Sequence, residues 1–209
     1  MILILIVLIA NALNADSPAK ANIESVPSIN SEKIEYEANI STDKNVPILP
    51  FYSQFNDITL AKWKKIGCGV ASAAMIINYY YPNSVSVNTL LQEGINSGAY
   101  INGAGWSHQG LANIFIEHGL IGKTFDLSQL SMDKAFEKLN EILEKDGPSI
   151  ASVHYTFDPK NKIPHLVVIN GVKDGLVYYN DPASDSGNKT ISIEKFKNSW
   201  KKRFISASL

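Results

Sequence analysis

The sequence predicts an α+β fold in which N-terminal helices pack on a C-terminal antiparallel sheet. Two observations indicate this order. Apolar residues recur at helical spacing up to Gly147-Pro148, and after that point they come in short, strand-length segments. A third observation is the turn sequence Lys173-Asp174-Gly175, which joins two of those segments and is typical of an antiparallel hairpin. Helices followed by strands that pair with one another favour the α+β class.

The N-terminus has the pattern of a secretory signal. Residues 2–10 form an uninterrupted apolar run, and Ala10-Asn11-Ala12 matches an A-x-A cleavage site. The run is too short to span a bilayer, which takes about 20 residues, so no stable membrane insertion is expected. We therefore expect a signal peptide over residues 1–12, cleaved after Ala12 or Ala15, and secretion to the periplasm or the exterior.

The remaining chain divides into a spacer and one domain. Residues 13–45 are polar without a sustained period and are predicted to be a disordered spacer, and residues 46–209 are predicted to form the folded domain.

The net charge of −1 does not indicate a nucleic-acid partner. The short basic run Lys201-Lys202-Arg203 is interpreted as a solvated turn rather than a binding patch. Cys68 is the only cysteine, which excludes an intramolecular disulfide and a thiolate metal cluster.

Four helices are predicted in the first half of the domain. The first contains the apolar run from Val70 and ends at Tyr81, because Pro82 cannot continue a helix. The other three each open on a serine, which caps helix N-termini, and close at a glycine. These pairs are Ser86 and Gly94, Ser107 and Gly119, and Ser131 and Gly147. The segment from Ile95 to Gly105, rich in Gly, Asn and Ser, is predicted to be a loop.

The second half is predicted to contain strands and one short helix. The second and third strands should form the hairpin around Asp174-Gly175. The predicted strands are residues 149–155, 164–171, 176–180, 190–193 and 204–208, with a short helix over residues 194–200.

Cys68 is the first candidate catalytic residue. It lies between two glycines at the start of the first predicted helix, where unpaired backbone N–H groups and the helix dipole stabilise a thiolate. The thiolate is the nucleophilic form of cysteine. Glycine on either side lets the backbone turn sharply and a substrate approach. The alternative is a small, buried apolar side chain without chemistry.

His165 and Asp181 are the candidate base and its orienting group. His165 begins one strand of the predicted hairpin, and Asp181 follows the end of the other. The beginning of one hairpin strand lies beside the end of its partner, so we expect the two side chains to meet. Asp181 would then fix the imidazole tautomer while the other ring nitrogen faces Cys68. The alternatives are a satisfied strand-end histidine and an aspartate that only caps a turn.

Gln54 is the candidate oxyanion donor. Its amide can donate hydrogen bonds without titrating, and the backbone N–H of Cys68 is a natural second donor. A loop glutamine also has many ordinary structural uses. The remaining histidines, His108, His118 and His154, lack the spacing of a metal site. Trp106 either lines the substrate groove or packs in the interior.

These motifs together resemble a known family. The order of Pro-Phe-Tyr-Ser-Gln at residues 50–54, Gly-Cys-Gly at 67–69, His-Leu-Val-Val-Ile-Asn-Gly at 165–171 and Asn-Asp-Pro at 180–182 is similar to that of the C39-like cysteine peptidases. The resemblance implies a papain-like fold. It also implies that Gln54, Cys68, His165 and Asp181 are oxyanion donor, nucleophile, base and orienter. It covers residues 46–209 and fits a free-standing secreted member of the family.

The expected function is therefore that of a secreted cysteine peptidase acting on a peptide or protein substrate, with no cofactor and no metal. Two alternatives remain open. The same triad could pass the acyl group to an amine, as transglutaminase-like relatives of the papain fold do. The domain could also be a non-catalytic module that binds peptide or cell wall and retains the fold.

Overall fold

The computed structural model describes residues 45–209. The predicted signal peptide lies outside these residues, as does the predicted spacer apart from Asn45. Within residues 45–209 the chain forms five α-helices and eight strands, with two short 3₁₀ turns. None of the helices in this part of the chain is long and apolar enough to span a membrane.

The helices follow the chain in the predicted order. They are α1 (Cys68–Tyr80), α2 (Val87–Asn96), α3 (His108–Glu117), α4 (Met132–Asp146) and α5 (Ile193–Ser199). The strands are β1 (Tyr100–Ile101), β2 (Gly105–Trp106), β3 (Ile121–Asp126), β4 (Ser149–His154), β5 (Pro164–Lys173), β6 (Leu176–Asn180), β7 (Lys189–Ser192) and β8 (Trp200–Ser208).

The predicted serine caps are confirmed. The hydroxyls of Ser86, Ser107 and Ser131 each accept a hydrogen bond from the backbone N–H three residues later. Each bond satisfies one of the N–H groups that a helix leaves unpaired at its start. Ser192 caps α5 in the same way.

Six strands form one antiparallel sheet in the order β3-β8-β4-β5-β6-β7, and β1 and β2 form a separate two-stranded ribbon. The predicted hairpin joins β5 to β6, with Lys173 paired with Leu176. Its two turn residues, Asp174 and Gly175, have φ values of 51° and 76°. Positive φ at both positions is the requirement of a type I′ turn, whose twist matches that of the strands.

The sheet carries helices on both faces. Alternate residues of its central strands contribute to two different cores, as Leu166 and Val168 do to one and Val167 and Ile169 to the other. Helices α1, α2 and α3 cover the first face, and α4 and α5 cover the second. Because both faces are covered, the four consecutive residues 166–169 of β5 are apolar and buried.

Helix α2 and strands β3 and β8 differ from the sequence-based expectation. Strand β8 begins at Trp200 instead of residue 204. Helix α2 runs through Gly94 to Asn96 instead of ending at Gly94, and the predicted loop after it contains β1 and part of β2. A Cβ atom at Gly94 would lie 2.6 Å from the Trp106 ring, so this glycine is a packing requirement rather than a helix stop. Strand β3 was not predicted, because it is an edge strand with mostly exposed residues and has no apolar run.

Candidate active site

Cys68 is the first residue of α1 and is half-buried at the helix N-terminus. The glycines beside it are needed for close packing. Gly67 has an ordinary φ of −82°, but a Cβ there would lie 2.1 Å from Ile58. A Cβ at Gly69 would lie 2.6 Å from Trp106. The sequence predicts that these glycines allow a sharp turn, whereas in the structure they allow close packing. This packing holds the start of α1 between the side chains of Ile58 and Trp106.

His165 and Asp181 meet as the hairpin predicts. The Nε2 atom of His165 lies 2.6 Å from Oδ1 of Asp181, and the two residues are only 4% and 8% exposed. In the pairing of β5 with β6, Val168 lies opposite Asn180, so the next residue, Asp181, lies beside the first residues of β5. A carboxylate can only accept hydrogen bonds, so Nε2 carries the proton and Nδ1 is left for a second partner.

Both side chains are held by further contacts. The Asp181 carboxylate also accepts a hydrogen bond of 2.8 Å from the backbone N–H of Ala183. The ring of Tyr155 packs edge-to-face with the imidazole, at 5.0 Å between ring centroids. These contacts fix the orientation of the imidazole, which general-base catalysis requires.

The electrostatics of His165 favour its protonated form. Burial alone lowers the pKa of His165, because it removes water from the charged ring. The interactions of the imidazole with Asp181 and with Cys68 outweigh burial and raise the pKa of His165 to about 9. The imidazole therefore interacts with both of the groups that the sequence selected. A protonated imidazole beside Cys68 stabilises a thiolate.

Gln54 is buried, with 3% of its surface exposed, in the loop before α1. Its backbone N–H donates to the carbonyl of Pro182, at 2.8 Å, and its side-chain Nε2 donates to the carbonyl of Lys64, also at 2.8 Å. The first bond ties this loop to the turn that carries Asp181. The second uses one of the two N–H groups of the amide and leaves the other as a donor.

A cleft of about 1000 Å³ joins these residues. Gln54, Cys68 and His165 all lie along it. Trp106 also lines the cleft, although only 8% of its surface is exposed. This residue therefore both lines the groove and packs in the interior. The loop before His165 contributes Ile163 to the wall.

The other histidines have separate roles. His118 pairs with Glu93 at 2.8 Å, and His154 Nδ1 lies 2.9 Å from the carbonyl oxygen of Asn161. His108 lines the cleft with its Nε2 2.7 Å from the Ser152 hydroxyl. Burial, and after it the charge of Arg203, lowers the pKa of His108. Among residues 45–209, no group of three or more His, Cys, Asp or Glu side chains is arranged to hold a metal ion.

Sequence reasoning missed the basic side of the cleft. The run Lys201-Lys202-Arg203 was expected to be a solvated turn, but it belongs to β8, and Lys201 and Arg203 line the cleft. Lys202 has a φ of 54° and donates to the carbonyls of Ser128 and Leu130. Side chains alternate along a strand, so Lys201 and Arg203 lie on the face opposite to Trp200 and Phe204, which belong to the second core. The predicted strand starts only at residue 204, so this alternation could not be read from it.

The model of the Peptidase_C39 like family matches residues 48–205. No curated protein sequence matches the chain.

Several solved structures share the fold. One is a double glycine motif protease from an AMS/PCAT transporter, in complex with the leader peptide, at 24% identity and a TM-score of 0.53, covering 79% of this chain and 94% of that one. A C39-like peptidase candidate from Bacillus anthracis has 21% identity and a TM-score of 0.54, with 77% and 94% covered. The peptidase domain of Streptococcus ComA, a bi-functional ABC transporter, has 18% identity and a TM-score of 0.52, with 69% and 92% covered.

Proposed function

Because this chain belongs to the Peptidase_C39 like family, which supports a cysteine peptidase function in general, we propose that it hydrolyses peptide bonds through Cys68, His165 and Asp181. One observation carries the proposal. The buried pair of His165 and Asp181, 2.6 Å apart, interacts with the only thiol of the chain at the edge of a large cleft. A module that only binds peptide has no need of this arrangement.

The first half of the reaction uses the thiolate and the imidazolium. The Cys68 sulfur attacks the carbonyl carbon of the scissile bond, and the carbonyl π electrons move to oxygen. The free N–H of the Gln54 amide and the backbone N–H of Cys68 donate to this oxyanion. The intermediate collapses as the carbon–nitrogen bond breaks, and His165 gives its Nδ1 proton to the leaving amine.

The second half releases the acyl group. His165, now neutral, takes a proton from water, and the resulting hydroxide attacks the thioester carbonyl. The carbon–sulfur bond breaks, the acid leaves, and the thiolate and imidazolium are restored. Asp181 keeps the Nε2 proton in place throughout, so that Nδ1 remains the nitrogen that exchanges protons.

The first experiment is alkylation of the full-length chain by iodoacetamide as a function of pH. Because Cys68 is the only cysteine, the label reports on one residue. The expected rate is already high near pH 6 and falls to that of a free thiol in His165→Ala. His154→Ala is the matched control, since its Nδ1 bonds to a backbone carbonyl elsewhere. A wild-type rate that rises only near pH ~8.5, as for free cysteine, would favour the non-catalytic binding module.

The second experiment separates hydrolysis from acyl transfer. Peptides are incubated with the full-length chain, with and without an added primary amine, and the products are identified by mass spectrometry. Free carboxylic acids that disappear in Cys68→Ala support the peptidase. Amides of the added amine formed in place of acids would assign an acyl transferase.

The signal sequence leads us to propose that the protein is exported. The N-terminus of the protein recovered outside the cytoplasm should begin at Leu13 or Asp16, after cleavage at Ala12 or Ala15. Recovery of chains that still begin at Met1 would contradict export through this signal.

A further inference from the structure

The cleft is positively charged although the chain as a whole is not. The full chain has a net charge of −1. The Lys, Arg, Asp and Glu residues among those that line the cleft are Lys65, Lys201, Arg203 and Asp126, so three cations face one carboxylate and their net charge is +2. Positive charge is therefore concentrated where a substrate would bind.

Two of these cations lie on β8, two strands away from the candidate base on β5. Val153 of β4 pairs with His165 on one side and with Trp200 of β8 on the other. Lys201 and Arg203 come one and three residues after Trp200, where the register between β4 and β8 shifts. The cleft thus crosses the sheet from β5 over β4 to β8, and the alternation of side chains along β8 places both cations on the cleft side.

Lys201 has no partner of opposite charge among residues 45–209. No hydrogen bond or ion pair joins its ammonium group to another described residue, although it is half-buried in the cleft wall. Burial, and after it the charge of Arg203, lowers the pKa of Lys201. An anion that entered the cleft beside Lys201 would offset both effects.

Arg203 is partly neutralised but retains donors. Its Nε atom pairs with Oδ2 of Asp126 at 3.1 Å. A guanidinium has five N–H groups in a planar fork, so the terminal nitrogens remain able to bind a second carboxylate. Between these cations and the thiol, the floor of the cleft is formed by Ser152 and His108, which are hydrogen-bonded to each other. This middle section is polar and offers no competing carboxylate.

We propose that Lys201 and Arg203 form a subsite for an acidic side chain of the substrate, about three residues from the scissile bond. Adjacent strands lie about 4.8 Å apart, so β8 is about 10 Å from β5, and an extended peptide advances about 3.3 Å per residue. The inference rests on the proposed peptidase function and adds its substrate class: peptides with Asp or Glu at that distance on one side of the cleaved bond.

The test starts from the full-length chain and a mixture of peptides prepared from a whole proteome. Cleavage sites are read by mass spectrometry, and we expect Asp and Glu to be enriched about three residues from the cleaved bond. Matched fluorogenic peptides with Glu or Gln at that position then give the ratio of their kcat/KM values. A charge-assisted hydrogen bond predicts a preference for Glu of about tenfold.

Substitutions at Lys201 and a matched control identify the subsite. Lys201→Gln should reduce the Glu-to-Gln ratio, and Lys201→Glu should invert it and favour a lysine in the same position. The ratio does not depend on the amount of active protein, so a loss of folded material does not mimic this result. Lys123→Glu makes the same charge change on an exposed residue of β3 outside the cleft and should leave the ratio unchanged.

A second readout needs no peptide. Iodoacetate is an anion and iodoacetamide is neutral, so the ratio of their rates with Cys68 reports on nearby positive charge. Lys201→Glu should lower this ratio about threefold at low ionic strength, with a smaller effect at high salt, as expected for charges about 10 Å apart.

The outcomes separate this inference from the proposed function. Cleavage that requires Cys68 but shows no preference for acidic residues would overturn the subsite and leave the peptidase intact. The same holds if Lys201→Glu changes neither the Glu-to-Gln ratio nor the ratio of the iodoacetate and iodoacetamide rates. Absence of both cleavage and an activated thiol would overturn the proposed function and the subsite with it.

Discussion

Gly69 lies directly against the indole ring of Trp106, and a Cβ atom at position 69 would come within 2.6 Å of the Cγ atom of that ring. The same indole packs on Gly94 of α2, and its Nε1 donates to the carbonyl of Ile66, two residues before Cys68. One buried side chain thus connects the first turn of α1, the last turn of α2 and the loop that leads to the thiol.

Gly69→Ala should destabilise the domain despite the better helix propensity of alanine. Replacing a helical glycine by alanine contributes about 1 kcal/mol, whereas overpacking a close contact costs about 1–3 kcal/mol. We expect a net loss of unfolding free energy in urea and a slower reaction of Cys68 with iodoacetamide, because the helix start must shift. In a Trp106→Phe background the cost of Gly69→Ala should shrink. A variant as stable as the wild type would show that the ring moves freely.

The pH dependence of activity should reflect His165. The pKa of His165 is raised to about 9, so the imidazolium that the proposed mechanism uses to protonate the leaving amine is present below that pH and is lost above it. We therefore expect kcat/KM to fall on the alkaline side with a midpoint near pH 9. Asp181→Asn removes a charge that raises this pKa, so the alkaline limb should move to lower pH. Asp185→Asn, the same change at an exposed position, is the control, and an equal shift in both variants would contradict the assignment.

Gln54→Ala should lower kcat by about 100- to 1000-fold, as expected for loss of one oxyanion donor. Alkylation of Cys68 by iodoacetamide forms no oxyanion, so its rate and pH profile should stay close to those of the wild type. Steady-state kinetics and alkylation of the same preparation measure the two effects. If both rates fell together, Gln54 would act by positioning the loop through its bonds to Lys64 and Pro182.

Gly175→Ala should weaken the hairpin without affecting the chemistry. Gly175 has a φ of 76°, and no other atom lies within 4 Å of the position of a Cβ there, so the substitution isolates backbone strain. A left-handed conformation costs a residue with a Cβ about 1–2 kcal/mol, and we expect a loss of this size in unfolding free energy with unchanged kcat/KM. Gly175→Asn should lose less, because asparagine tolerates this conformation. Equal losses for both would indicate lost contacts instead of strain.

The features that the sequence predicted well depend on short-range chemistry. Serine caps and a positive-φ turn need only a few neighbouring residues, so Ser107 and Asp174-Gly175 were identified with the right roles. The meeting of His165 with Asp181 also follows from a local hairpin, although the residues are sixteen positions apart. The assignment of catalysis to them stays a prediction until it is tested.

The features that it missed depend on long-range packing. From the sequence, Gly94 is predicted to end a helix. In the structure it lies inside α2, where the indole of Trp106 leaves no room for a Cβ atom. Strand β3 has no apolar run because it is an edge strand with mostly exposed residues, and its pairing with β8 joins segments far apart in the sequence. Lys201 and Arg203 were interpreted as part of a solvated run, because the cleft that they line forms only when β5, β4 and β8 pair in one sheet.

The α+β order of elements, the family resemblance and the four candidates Gln54, Cys68, His165 and Asp181 can be read from the sequence, because residue type, spacing and turn chemistry are local properties. The surroundings of these four residues depend on how distant segments fold together. The Gln54 loop is tied to the turn after Asp181, Trp106 fixes the start of α1, and β8 brings two cations to the cleft. These relationships join segments up to about 130 residues apart, and they arise from strand pairing and side-chain packing that no local pattern encodes.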